Sequence, residues 1–204
     1  MTSRIRSAAR GIDVPFTLVS VLWLALTAAP HLQAALWPPA GRVFPGAFVF
    51  DDDVYQHLSF AEQAARGALL LSNKFDLRPH EPFLVNLEWT AQGALSALLG
   101  GRQILAFQLA GALAGLLALG VVDAVLRRSG LRGRDRGWGL VLFGLGSGLG
   151  WLRLLSGTPF VRVPDAFMAL YPFNLRIIGG PHGLLGFALL LLALVGYARW
   201  RSNG

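Results

Sequence analysis

Four apolar runs dictate what this chain can become. They cover Val14 to Leu36, Ile104 to Leu126, Trp138 to Leu155 and Leu184 to Tyr197, the last extendable to 182–199. A helix needs about 20 mostly apolar residues to cross a bilayer. The third and fourth runs are short and need flanking residues or a locally thin bilayer. Composition agrees: 54% of the 204 residues are hydrophobic and 14% charged, against about 25% charged in soluble domains. The mean hydropathy is +0.52.

A net charge of +7 and a pI near 11.2 would suit a nucleic-acid binder. The distribution excludes that class, because the arginines stand in short blocks between apolar runs, as in membrane-protein loops. The expected partner is membrane lipid. With no cysteine in the chain, disulfides, thiolate metal sites and cysteine nucleophiles are excluded.

A fifth apolar run, Phe83 to Leu99, carries Glu88, Gln92 and Ser96 at spacings of four, with Leu84, Leu87, Ala91, Leu95 and Leu98 on another face. Glu88 would cost about 3 kcal/mol at a bilayer centre. The pattern predicts an interfacial helix lying on the membrane. Arginine placement agrees. If this run does not cross, Arg4, Arg6 and Arg10, the five arginines from Arg127 to Arg136, and Arg199 and Arg201 all fall on one side. By the positive-inside rule that side is the cytoplasm. The expectation is an all-α, polytopic transmembrane bundle of about four spans forming one membrane domain over 1–204. Both termini would be cytoplasmic, with an outer loop 37–102, a cytoplasmic loop 127–137 and a bacterial inner-membrane location. The first run also has the layout of a signal peptide, with small residues from Thr27 to Ala29; the downstream topology is the same either way.

Gly111/Gly115, Gly144/Gly148 and Gly146/Gly150 repeat a spacing of four, which lets helix backbones approach closely. The run Gly144 to Gly150 lacks phosphate-loop spacing and its lysine. The histidines at 31, 57, 80 and 182 show no zinc-ligand spacing, and His57 is expected at a helix interface.

The loop from Trp37 to Arg102 holds seven acidic against five basic residues. It is longer than a connector needs. Val54, Leu58, Ala61 and Ala65 recur at helical spacing, so Asp53 to Arg66 is predicted as a short amphipathic helix stopped by Gly67. Asp51, Asp52 and Asp53 sit at its start. One aspartate is enough to cap a helix. Three adjacent carboxylates repel each other, and the excess points to a general base, a cation site for Mg²⁺ or Mn²⁺, or both.

The order of these elements resembles a known family. A basic N-terminus and one span precede Asp51-Asp52-x-x-Tyr55, which opens a short helix. Then come Arg78-Pro-His80-Glu81-Pro82, an interfacial helix with Trp89 that ends in Leu-Leu-Gly100, and a span running to arginines. This is similar to the N-terminal half of the GT-C membrane glycosyltransferases, which use polyprenyl-phosphate-linked sugars. It looks closest to the bacterial aminoarabinose-transferase and protein-mannosyltransferase types, over about residues 10–155. The resemblance implies that Asp51 is the catalytic aspartate, Asp52 its acidic neighbour in the catalytic pair (both metal ligands, if Mg²⁺ or Mn²⁺ serves) and Tyr55 a substrate contact. The family often has a lysine where Glu81 stands, gripping lipid phosphate; Arg78 and His80 are the candidates for that role here. In the second outer loop, Ser156 to Pro181, Asp165 is read as a second acid or a helix cap, and Arg176 as a phosphate or headgroup contact. Such enzymes are longer, so the chain is expected to be a truncated part or a half with a partner chain. The alternative is a non-enzymatic membrane protein, a transporter subunit or an assembly factor. Transport favours charges within spans; Asp123 and Arg153 alone qualify, and both lie near helix ends, which weighs against transport but not against a scaffold.

Overall fold

The computed structural model describes residues 13–38, 40–44, 46, 51–145 and 181–203. Helices α1 (Val14–Leu36), α2 (Asp51–Ala65), α3 (Leu87–Leu98), α4 (Gln103–Arg128), α5 (Gly133–Leu145) and α6 (Pro181–Asn203) build it. The described residues contain no strand, and Leu71 pairs with Leu84 in an isolated bridge. Among the described residues three helices are long and apolar enough to cross a membrane: α1, α4, and α6 over Gly183–Arg201. The predicted run 138–155 is described as far as Leu145; its remainder lies outside the described residues. α5 begins at Gly133, ahead of the apolar run, so the connection from α4 is shorter than the predicted loop 127–137.

Each start and stop has a local cause. Asp13 caps α1 by accepting from Phe16 N at 3.3 Å, and Pro15 occupies the first turn, where its missing N–H costs nothing. Asn86 caps α3 by accepting from Glu88 N (2.9 Å) and Trp89 N (3.1 Å). α2 ends at Ala65, two residues before Gly67, whose φ of 90° is the left-handed conformation glycine adopts without strain. Gly100 and Gly101, also at positive φ, turn the chain sharply from α3 into α4.

Side-chain contacts set the directions of the helices. Asp13, at the start of α1, pairs with Arg127 at the end of α4. Trp23, further along α1, meets Gly115 in the middle of α4, so the two run antiparallel. Gly139 of α5 faces Leu126 and Gly144 faces Leu119, so α5 also runs against α4. α6 runs with α4: Leu185 lies beside Leu117, and Ala198 beside Arg128 and Ser129. The core where they meet is Val19, Trp23, Ala114, Leu119, Leu140 and Leu184. α1 and α6 turn Leu18, Val21, Leu189 and Leu190 outward. Helices apolar all round need an apolar surrounding as well as an apolar core.

Four charges close the end of the bundle at Arg127. Asp123 accepts from Arg127 Nε at 2.6 Å and lies 3.5 Å from Arg136 Nε. Asp13 pairs with both arginines. Asp123 and Arg136 are buried. The network ties α1, α4 and α5 together at one end.

Candidate functional site at the acidic start of α2

α2 begins at Asp51, so the described backbone puts Asp51, Asp52 and Asp53 in its first turn. Their side chains lie outside the description. Val54, the next residue, is buried against Phe107 with Leu58 beside it. Gln108 Nε2 donates to Gly46 O at 2.7 Å, tying the incoming chain to the same turn of α4. At the other end of α2, Glu62 accepts from Gln103 and pairs with Arg66 at 2.7 Å. The Arg66 guanidinium, helped by Gln103, holds the Glu62 carboxyl below the usual carboxylate range. The acidic turn therefore sits at the first turns of α4. Arg127, twenty residues on from Phe107, is about 30 Å away along the helix axis.

Tyr55 lies four residues after Asp51 and three after Asp52, so the three positions neighbour one another on the helix surface. The Tyr55 side chain is exposed. By register Asp52 falls opposite the buried positions Val54 and Ala61.

α3 holds α2 from the far side. Trp89 stacks on Phe60, with centroids 4.3 Å apart, and meets His57 at 5.2 Å with the rings tilted by 35°, which puts His57 at the expected helix interface. A Cβ on Gly93 would lie 2.6 Å from Ala61 O, so glycine is what lets α3 approach α2 so closely. The polar stripe read from the sequence is present, but it faces inward. Gln92 is 3% exposed and Ser96 fully buried, while Leu87 and Leu98 stand 81% and 85% exposed. Trp89 Nε1, Gln92 Oε1 and Ser96 Oγ are buried there and have no hydrogen-bond partner among the described residues. Glu88 accepts from Gln92 Nε2 at 3.0 Å. Burial pushes the Glu88 carboxyl up, against the pull of that hydrogen bond.

The residues read from Arg78-Pro-His80-Glu81-Pro82 stand elsewhere, on the exposed segment between α2 and α3. Arg78 forks onto Asp76 through Nε (3.0 Å) and an Nη (2.8 Å), and this guanidinium keeps the Asp76 carboxyl below its ordinary range. His80 Nδ1 lies 2.8 Å from Arg78 O, and Glu81 is exposed. Arg78 and His80 are thus together, as are Asp51, Asp52 and Tyr55, and among the described contacts none joins the two sets. Asp165, Arg176 and Arg153 lie outside the described residues. Among the described residues no group of three or more histidine, aspartate or glutamate side chains could hold a metal ion.

Sequence reasoning passed over two features. The indole of Trp89 pins α2, and a lone tryptophan at helical spacing gives no sign of its partner. Asp123 was seen and its partners were not: Arg127 is visible at a spacing of four, whereas Arg136 and Asp13 come from other helices. No family model, curated protein or solved structure matches the chain.

Proposed function

We propose that the chain is a membrane glycosyltransferase of the GT-C type, or the N-terminal part of one. It would transfer a sugar from a polyprenyl-phosphate carrier to an acceptor hydroxyl on the outer side of the membrane. One observation supports this reading above others: the acidic turn is held at the first turns of α4, while the arginine-rich end lies about 30 Å away. That distance is close to the thickness of a bilayer's hydrocarbon core, about 30 Å. With the arginines in the cytoplasm, the acids meet the outer interface, where a carrier's phosphate and sugar would lie.

The chemistry assigned to the site is an inverting displacement. The acceptor oxygen attacks the anomeric carbon and forms the new C–O bond. The bond from that carbon to the phosphate oxygen breaks, and its electron pair leaves with the polyprenyl phosphate. Asp51 takes the hydroxyl proton as general base. Asp52 orients the acceptor or helps hold a divalent cation; Mg²⁺ commonly uses one or two carboxylates and completes its shell with water and phosphate oxygens. Tyr55, exposed and adjacent, contacts the substrate.

The test is transfer from a polyprenyl-phosphate-sugar pool in membranes carrying the wild-type chain or Asp51→Asn. Loss of a general base lowers the rate about 10²- to 10⁴-fold. Equal transfer by both removes Asp51 from the mechanism. A second reading, a non-enzymatic assembly factor, draws on Arg78, which is already neutralised by Asp76 and is poorly placed to grip a phosphate. It predicts no transfer from either form.

A further inference from the structure

Six large apolar side chains stand exposed between α2 and α3: Leu69, Leu70, Phe75, Leu77, Phe83 and Val85, with Leu77 98% exposed. We propose that this segment, together with the outward face of α3, inserts into the lipid leaflet at the acidic end of α4. The inference rests on α1, α4 and α6 crossing a membrane and needs nothing from the sugar-transfer reading.

Position is the first argument. α3 runs back along α4, so that Glu88 and Leu95 border one groove of about 350 Å³ with Ala110, Leu113, Leu117 and Leu185. The segment leads into the N-cap of α3, and its base therefore lies on the flank of the bundle rather than beyond its end. α4 has 26 residues and is about 39 Å long, which leaves about 9 Å outside a 30 Å hydrocarbon core. Leu113, exposed on that membrane-length helix, lines the same groove. The apolar surface of the segment and α3 thus continues a surface that lipid must already cover.

The segment is also prepared for a medium poor in water, where each unmet backbone group is costly. Leu71 N donates to Leu84 O at 2.8 Å, and Leu84 N returns the bond at 3.2 Å. The Gln63 side chain donates to Ser72 O and accepts from Ser72 N, both at 2.9 Å. Asn73 Oδ1 accepts from Phe75 N at 3.0 Å. Asp76 takes both Arg78 N and its guanidinium. Lys74 and Arg78 balance Asp76 and Glu81, and Arg66 is paired with Glu62, so the stretch from Ala68 to Val85 carries no net charge and has no electrostatic preference for anionic lipid. A patch this apolar left in water would be a liability.

The chain has no cysteine, so Leu77→Cys and Leu69→Cys can each carry one nitroxide in the full chain, reconstituted in bilayers of zwitterionic lipid. Arg132→Cys serves as the aqueous reference. The proposal expects collisions with dissolved oxygen to dominate at 77 and 69, collisions with a water-soluble nickel complex to dominate at 132, and no change in depth when anionic lipid is added. Nickel access at 77 equal to that at 132 overturns it. Shielding from both reagents overturns it too, because a second copy or residues 146–180 would then cover the patch. Depth is read without any transfer assay, so an inactive protein with an inserted segment sinks the enzymatic reading alone.

Discussion

The indole of Trp23 lies across the face of Gly115. A Cβ at that glycine would fall 1.9 Å from Trp23 Cη2, and the tryptophan is itself fully buried. At Gly115 the close approach expected from the Gly111/Gly115 spacing is made by a side chain. It fixes the depth of α1 against α4.

Gly115→Ala is expected to destabilise the bundle by about 1–3 kcal/mol through overpacking. Gly120 in the same helix has open space where a Cβ would go. Gly120→Ala should gain up to about 1 kcal/mol from helix propensity. Thermal unfolding of both variants in one detergent checks the pair; equal shifts would remove the Trp23 contact as the cause.

Asp123→Ala should cost about 3 kcal/mol, the lower end for breaking a buried ion pair, because Asp13 still holds Arg136. The double variant Asp123→Ala/Arg136→Ala should cost less than the sum of the two singles, since the second change removes the charge that the first strands. Strict additivity in unfolding free energy would show that the four charges do not act as a unit.

Glu88 gives the chain a pH dependence of definite sign. Its folded pKa is raised above the ordinary value of 4.5, chiefly by burial. The native state therefore holds the proton more tightly than the unfolded chain does. The stability tied to this group is complete below the unfolded value and is lost as pH rises through the raised one. Glu88→Gln keeps an acceptor for Gln92 and should flatten that fall. Unfolding midpoints of both forms, followed from mildly acidic to neutral pH, test it; parallel curves would acquit Glu88.

Much of this was readable in the residues, for reasons that also mark the limit. α1 and α4 are long apolar stretches, and three-residue uncertainty in their ends changes nothing. α2 was legible from Val54, Leu58 and Ala61 at helical spacing and from Gly67 as a stop, and its start was read two residues late, at Asp53. α3 is the instructive element. Spacing groups Glu88, Gln92 and Ser96 on one face, but it cannot say whether that face meets water or protein. In water the polar side goes out, whereas here Gln92 and Ser96 are turned into the protein. The charge network was half-legible for a related reason. Asp123 and Arg127 are near in sequence, while Arg136 and Asp13 reach them through the packing of three helices. The juxtaposition of Asp51, Asp52 and Tyr55 was local and could be read directly, whereas the separation of Arg78 from them depends on where a long connection runs.

The inside-out polarity of α3 has a consequence for how the protein is made. Alone, α3 would leave Gln92 and Ser96 uncovered, and α2 would leave Val54 and Phe60 uncovered. α2 settles only once α4 supplies Phe107 against Val54 and Gln103 against Glu62. The acidic turn is therefore completed by a helix made after it, and a chain cut before Gln103 would carry three adjacent aspartates without α4 to brace the helix they begin.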